Sequence, residues 1–258
     1  VYVANAVGGN RLLRNDGAGA FADVTAGPLG GAGASAAVAW ADADLDGDLD
    51  LYLANTDVAN KLLRNDGGGA FADATTGPLG GVPGAGRGAA WGDLDGDLDP
   101  DLYLANAGAD RLLRNDGGGV FAEVGGPFGD ALTGADVDWG DYDGDGDLDL
   151  YVVNADGPNR LLRNDGGAAF TDATSGPLGD PGAGRAGSFG DFDNDGDLDL
   201  YVVNADGPNK VLQNEGNGAF TDADAKPITD PGVGMDAAWG DYDGDGDLDL
   251  YLTNEGGS

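Results

Sequence analysis

A thirteen-residue pattern occurs five times in this chain, and nothing else in the sequence restricts the fold as tightly. In its fullest form it reads Trp239-Gly-Asp-Tyr-Asp-Gly-Asp-Gly-Asp-Leu-Asp-Leu-Tyr251. The other copies run from Trp40, Trp91, Trp139 and Phe189 to Tyr52, Tyr103, Tyr151 and Tyr201, a period of 48 to 51 residues. Self-similarity at that period marks a repeat architecture, in which each unit cannot bury its apolar face alone and needs its neighbours.

The rest of each unit reads as short strands. Residues 1–5 (VYVAN) are rich in β-branched and aromatic side chains. A Gly-Gly turn leads to 10–15 (NRLLRN), a glycine-rich hairpin to 20–25 (AFADVT), and a Gly/Pro/Ala connection to 36–40, before the first acidic loop. We name the four strands A (ending in the aromatic), B (with the tyrosine), C (RLLRN) and D (AFTDAT). Adjacent apolar pairs such as Leu12-Leu13 and Val152-Val153 point to opposite faces of a strand. Both faces are therefore expected to be buried, as when four-stranded sheets pack face to face around an axis. The expectation is an all-β propeller of five four-stranded blades, with residues 1–258 as one domain. Strand B occurs at both ends, at 1–5 and 250–254. Strands C and D of 10–25 can complete A and B of 236–254, closing the ring with strands from both termini. One copy of B is then redundant: it lies loose, displaces the other, or pairs with a neighbouring molecule. Of 20 aromatic residues, 16 fall in the Trp/Phe, Tyr and Phe columns of strands A, B and D, which are assigned to the core.

The acidic loops put carboxylates on alternate residues. In the fifth, Asp241, Asp243, Asp245, Asp247 and Asp249 hold positions 1, 3, 5, 7 and 9, with Gly246 at position 6. A glycine free to take φ > 0 lets such a loop wrap its oxygens round one hard cation, position 7 offering its backbone carbonyl. The corresponding residues are Asp42, Asp44, Asp46, Asp48 and Asp50 in the first loop and Asp141, Asp143, Asp145, Asp147 and Asp149 in the third. The fourth has Asp191, Asp193, Asp195, Asp197 and Asp199. The second, Asp93, Asp95, Asp97, Asp99 and Asp101, departs from the pattern, because Leu98 stands where the turn wants glycine. All-oxygen ligands point to calcium, and the chain has no His or Cys for a softer metal. Four to five ions are expected, the 93–101 loop being the exceptional one.

The 47 acidic and 12 basic side chains leave a formal charge of −35, which five dications would reduce to about −25. That excess argues against nucleic acid and anionic membrane surfaces as partners. No apolar run approaches the ~18 residues a membrane span needs. The chain starts at Val1 in mid-repeat with no signal peptide, which reads as a processed form or part of something longer.

The run W-G-D-Y-D-G-D-G-D-L-D-L-Y-V-V-N, then N-R-L-L-R-N-D-G and A-F-T-D-A-T, resembles the FG-GAP/VCBS-type repeat of integrin-like propellers and of many bacterial secreted and surface proteins. Ser188-Phe189-Gly190-Asp191 carries the Phe-Gly of the name. The resemblance covers essentially the whole chain. It implies a calcium-binding propeller at the cell surface or outside the cell, in an adhesive or scaffolding role. Integrin-like propellers usually have seven blades, against five repeats here.

The first residues of strand A break the repeat, and Arg87, Asp136, Asp138, Arg185 and Asp236 are the candidate ligand contacts. The alternative is that Arg87 with Asp136, and Arg185 with Asp236, neutralise each other. The expected partners are a protein or glycan at the cell surface, or copies of the chain itself. Three functions follow from the sequence: a non-catalytic adhesion or recognition protein, a fibre subunit assembled by strand exchange, and, least supported without His or Cys, an enzyme with its site in the central channel.

Overall fold

The computed structural model describes residues 1–31, 33–129, 132–216, 218–223 and 233–255. Strands β1 (Tyr2–Val3), β2 (Arg11–Gly17) and β3 (Ala20–Asp23) form a three-stranded sheet. The first four-stranded sheet is β4 (Ser35–Ala41), β5 (Asp50–Asn55), β6 (Lys61–Asn65) and β7 (Phe71–Asp73). The second is β8 (Gly86–Gly92), β9 (Asp101–Asn106), β10 (Arg111–Asn115) and β11 (Phe121–Val124). The third is β12 (Gly134–Gly140), β13 (Asp149–Asn154), β14 (Arg160–Asn164) and β15 (Phe170–Asp172). The fourth is β16 (Gly184–Gly190), β17 (Asp199–Asn204), β18 (Lys210–Asn214) and β19 (Phe220–Asp222). β20 (Gly234–Gly240) and β21 (Asp249–Asn254) pair as a two-stranded sheet. Each four-stranded sheet is an antiparallel meander in the order A-B-C-D, the blade of a propeller.

Packing divides the chain into two compact units, Val1–Asp93 with Asp97–Gly125, and Leu94–Gly96 with Gly126–Ser258. In the first, strand A of one sheet packs on strand A of the next, β4 on β8; in the second, β12 packs on β16 and β16 on β20. Strand B is buried throughout in β5, β9, β13 and β17, and its two faces serve different neighbours. Leu51 and Leu53 join Tyr2, Leu29 and Leu63, whereas Tyr52 and Leu62 join Leu102, Leu104 and Leu113. The paired apolar residues thus bury both faces of one sheet, at about 1.5–3 kcal/mol for each side chain removed from water.

The aromatic columns interlock between sheets. Trp91 meets Tyr52 edge-on at 6.2 Å and Phe121 at 6.0 Å; Trp239 meets Tyr201 at 6.1 Å. Column members at the chain ends lack a covering neighbour among the described residues. Tyr251 is 72% exposed and Phe21 53%, where Tyr52, Tyr103, Tyr151 and Tyr201 are fully buried. The core assignment holds for the strand-B tyrosines from Tyr2 to Tyr201; the Trp/Phe column of strand A is only half-buried, with Trp40 36% exposed, and the assignment fails at Tyr251 and Phe21. Of the fates open to the duplicated strand B, the N-terminal copy is the one paired to strand C, Tyr2 lying opposite Leu12 and Val3 opposite Arg11.

The Gly/Pro-rich connections hold more structure than a loop. Gly27–Gly30, Gly77–Gly80 and Gly176–Gly179 are short 3-10 turns of sequence G-P-L-G, each burying its leucine. The strand-B tyrosine fastens them: the hydroxyls of Tyr2, Tyr52 and Tyr151 donate to the carbonyls of Leu29, Leu79 and Leu178 at 2.6, 2.5 and 2.9 Å. Phe128, the one aromatic outside both the columns and the acidic loops, holds the corresponding place in a G-P-F-G sequence, buried and 5.2 Å from Phe170.

Candidate metal sites and binding surface

Each acidic loop joins strand A to strand B, and its first aspartate organises it. The Asp42 carboxylate accepts the N–H groups of Asp46 and Gly47 at 3.0 and 2.9 Å. Asp93, Asp141, Asp191 and Asp241 hold their own loops at positions 5 and 6 in the same way. The ninth residue closes the loop onto strand C. Asp50 accepts from the N–H of Ala43 and of Asn65, and Asp149 and Asp199 repeat both bonds.

These contacts bring positions 1, 3 and 9 together. Asp42, Asp44 and Asp50, and the corresponding three in every other repeat, each offer a carboxylate oxygen within 4.8 Å of the others. Asp141, Asp143 and Asp149, Asp191, Asp193 and Asp199, and Asp241, Asp243 and Asp249 are the groups of the second unit. Position 5 stays outside the group: Asp46, Asp97, Asp145, Asp195 and Asp245 accept the N–H of the residue two further on. Position 7 also lies apart. The carboxylates of Asp48, Asp99, Asp147 and Asp197 lie where a Cβ on Gly67, Gly117, Gly166 or Gly216 of the C–D hairpin would meet them at 3.0–3.3 Å, and Asp247 accepts from the Asn194 amide.

The second loop keeps the register of the others, and Leu98 bears the conformational cost by taking φ +74°. The sequence alone does not show a further requirement: position 4 is left-handed as well, at Gly96, Gly144, Asn194 and Gly244, and at Leu45 with φ +57°. The run of Gly and Asn at that position was the available signal.

Burial pushes the ninth carboxylate upward, Asp149 to about 7 and Asp199 to about 6, against the hydrogen bonds it accepts; neighbouring loop aspartates add to the rise. Oδ1 of Asp44 and Oδ1 of Asp143 are buried without a hydrogen-bond partner. A buried carboxylate oxygen without a donor is costly. An oxygen-seeking cation fits that deficit and the converging charge, and the donor set is of the type hard cations take.

The strand-C cations are held by carboxylates. Arg14, Arg64, Arg114 and Arg163 pair with the aspartate two residues on, and Arg11, Lys61, Arg111 and Arg160 with an acid on strand D. Most of these pairs are exposed, and each contributes only about 0–1 kcal/mol. Arg64 also lies 3.9 Å from Asp44. Gln213 replaces the arginine in the fourth repeat and donates to Asp193 at 2.6 Å. In the first unit a cavity of about 250 Å³ opens beside this arrangement, lined by Asp44, Asp50, Arg64, Thr76, Gly118 and Gly119.

The candidate ligand residues of strand A are dispersed. Every strand A carries a register shift near its start, at 35/37, 86/88, 134/136, 184/186 and 234/236. Arg87 and Arg185 occupy the bulged place, where no cross-strand partner restricts the side chain. Arg87 donates to the Gly86 carbonyl. Asp136 and Asp138 accept the N–H groups of Gly187 and Phe189 on the next sheet, at 3.2 and 2.9 Å. Burial raises Asp136 to about 7 and Asp138 to about 6. Asp236 is exposed and accepts from Ala237, and among the described residues no ion pair joins it to Arg185.

A further set is not evident from the sequence. Asn10, Asn60, Asp110, Asn159 and Asn209, all buried, accept the N–H of the asparagine ending strand B at 2.7–2.9 Å. Their signal was the polar residue placed before strand C in every repeat.

Fold and loops together define a β-propeller repeat protein with one converging aspartate cluster per repeat, of a kind that could hold a metal ion. The FG-GAP-like repeat model matches residues 1–53, 42–104, 93–152, 141–202 and 191–252, and the chain belongs to that family. No curated protein matches it by sequence. Among solved structures it is similar to an Agrocybe aegerita lectin that recognises non-reducing terminal N-acetylglucosamine, at 20% identity and TM-score 0.64, covering 96% of this chain and 72% of that one. The BP39L lectin of Burkholderia pseudomallei is similar at 17% identity with the same TM-score and coverage. The V. cholerae biofilm matrix protein Bap1 is similar at 16% identity and TM-score 0.47, over 79% of this chain and 30% of that one. No helix among the described residues is long and apolar enough to cross a membrane.

Proposed function

We propose that this protein is a non-catalytic, extracellular recognition propeller whose acidic loops bind calcium and whose partner is a glycan or protein at a cell surface. The observation that carries the reading is the convergence of three carboxylates per repeat, with the Asp44 and Asp143 Oδ1 atoms buried and lacking a donor. Positions 1, 3 and 9 would hold the ion, which supplies charge compensation and fixes the loops against strand C. Extracellular calcium modules of this kind bind at about 10⁻⁴–10⁻³ M, so such sites fill outside a cell and stay empty in cytosol. The lectin neighbours support glycans as a partner class. Against catalysis stands the use of Asp136 and Asp138, whose carboxylates are occupied with backbone N–H groups.

A glycan array read in millimolar calcium and again in excess chelator tests this reading. Binding to a defined glycan class that disappears with chelator is expected. Binding equal in both buffers would separate recognition from the loops. Absence of binding to any glycan, together with failure to bind cell-surface protein extracts, would refute recognition.

A second reading, assembly into a fibre by strand exchange, is favoured by one observation: strand B occurs twice, and its C-terminal copy, β21, has no strand C beside it among the described residues.

A further inference from the structure

Asn214 ends strand C of the fourth sheet and is fully buried. Its backbone N–H donates to Oδ1 of Asp199, the ninth residue of the fourth acidic loop, at 2.8 Å. Its side-chain amide donates twice, to the carbonyl of Leu198 in that same loop at 3.1 Å and to the carbonyl of Tyr142 in the third loop at 2.8 Å. Its Oδ1 accepts the N–H of Gly216 at 3.1 Å. All three hydrogens the residue can donate are engaged, and they hold two different acidic loops.

Asn115, also fully buried, makes the same four contacts in the first unit. Its N–H donates to Asp101 at 2.7 Å, and its amide to Pro100 at 3.2 Å and to Ala43 of the first loop at 2.8 Å, while its Oδ1 accepts from Gly117.

The residue that the asparagine reaches in the preceding loop belongs to the carboxylate cluster's own frame. Tyr142 stands between Asp141 and Asp143, two of the three converging aspartates, and its N–H donates to the third, Asp149, at 3.1 Å. Ala43 stands in the same way between Asp42 and Asp44 and donates to Asp50 at 3.0 Å. The buried ring of Tyr142 lies 6.0 Å from Phe220 on strand D of the fourth sheet. A shift at position 2 therefore carries the aspartates on either side of it, and a shift of the asparagine is felt in both loops. Each buried carbonyl left without its donor would be costly, so the asparagine does not let go of one loop freely.

We propose that Asn214 and Asn115 are positioning residues that couple cation binding in neighbouring acidic loops, the third with the fourth and the first with the second. This rests on the calcium reading above and deepens it. When one loop is ordered by its cation, the asparagine is fixed with it, and the neighbouring loop loses less freedom on ordering in turn, which is positive coupling. Charge alone gives the opposite sign, because a filled neighbour is less negative and attracts a second cation less. Coupling between sites is typically about 5–150-fold in affinity and is equal in both directions.

Calcium titration of the full chain after treatment with chelator tests the proposal, each loop being read through a backbone amide resonance that its first aspartate holds, Gly146 in the third and Gly196 in the fourth. In the wild type the two resonances are expected to shift over the same calcium range. Asp143→Asn, which takes a carboxylate from the third loop, is expected to weaken the fourth at least about fivefold, and Asp193→Asn to weaken the third by the same factor. With Asn214→Ala, the effect of Asp143→Asn on Gly196 is expected to disappear. Should Asn214→Ala not fold, Asn115→Ala gives the same comparison in the first unit, with Asp44→Asn, read at Gly47 and Leu98. A fourth loop that binds unchanged or more tightly in Asp143→Asn would overturn the coupling and leave the calcium reading intact. So would a weakening that survives removal of the asparagine. Loop resonances that do not respond to calcium at all would overturn both.

Discussion

Leu98 and Leu45 hold left-handed backbone, φ +74° and +57°, at loop positions that glycine or asparagine fills in the other repeats. A left-handed leucine costs about 1–2 kcal/mol. Replacing either leucine by glycine is therefore expected to stabilise the protein by about 1 kcal/mol, measured by urea denaturation at saturating calcium. The irregularity at 98 was legible in the sequence as a missing glycine; that at 45 was not, because the demand at position 4 comes from the loop's wrapping and shows only in its dihedral angles. The other residues with measurable consequences are Asp136 and Asp138, which burial raises from near 4 to about 7 and about 6. The folded state retains these protons where the unfolded chain has lost them. Stability should consequently fall as pH rises from about 4 to about 7, at up to about 1.4 kcal/mol per pH unit for each group. Asp136→Asn is expected to flatten that slope in melts recorded at saturating calcium, and an unchanged slope would mean the carboxylate is already ionised in the fold.

At the scale of the element, each blade is tied by polar contacts that repeat as regularly as its aromatics. The buried Asn60 side chain accepts from the backbone of Asn55, and the Tyr52 hydroxyl donates to Leu79. Tyr52→Phe removes one hydrogen bond and is expected to cost about 1 kcal/mol; Asn60→Ala strands a buried N–H and is expected to cost about 1–3 kcal/mol. Denaturation midpoints of the two variants check both values. The strands and their order could be read from the sequence because alternation and turn glycines are local signals. The G-P-L-G turns and the asparagine column could not, because their partners lie on other strands, Tyr2 reaching Leu29 across 27 residues. The exposure of Tyr251 was hidden for a related reason: a core column predicts burial only where a neighbouring element exists to cover it.

For the whole molecule the dominant quantity is charge. Twenty-five of the 47 acids sit in five loops, and the formal charge is −35. Within each loop, carboxylate oxygens stand within 4.8 Å of one another. On the proposed reading, bound dications compensate the loops locally while leaving the surface strongly acidic. Ligand binding to the native state stabilises it by about 2.7 kcal/mol per site at a hundredfold excess over the dissociation constant. Several loops acting together would move the unfolding temperature by many degrees. The most direct test is thermal unfolding followed in parallel at millimolar calcium and in excess chelator. The account predicts a melting temperature well above the chelated value, with the increment rising with calcium concentration. Superimposable melting curves in the two buffers would contradict it.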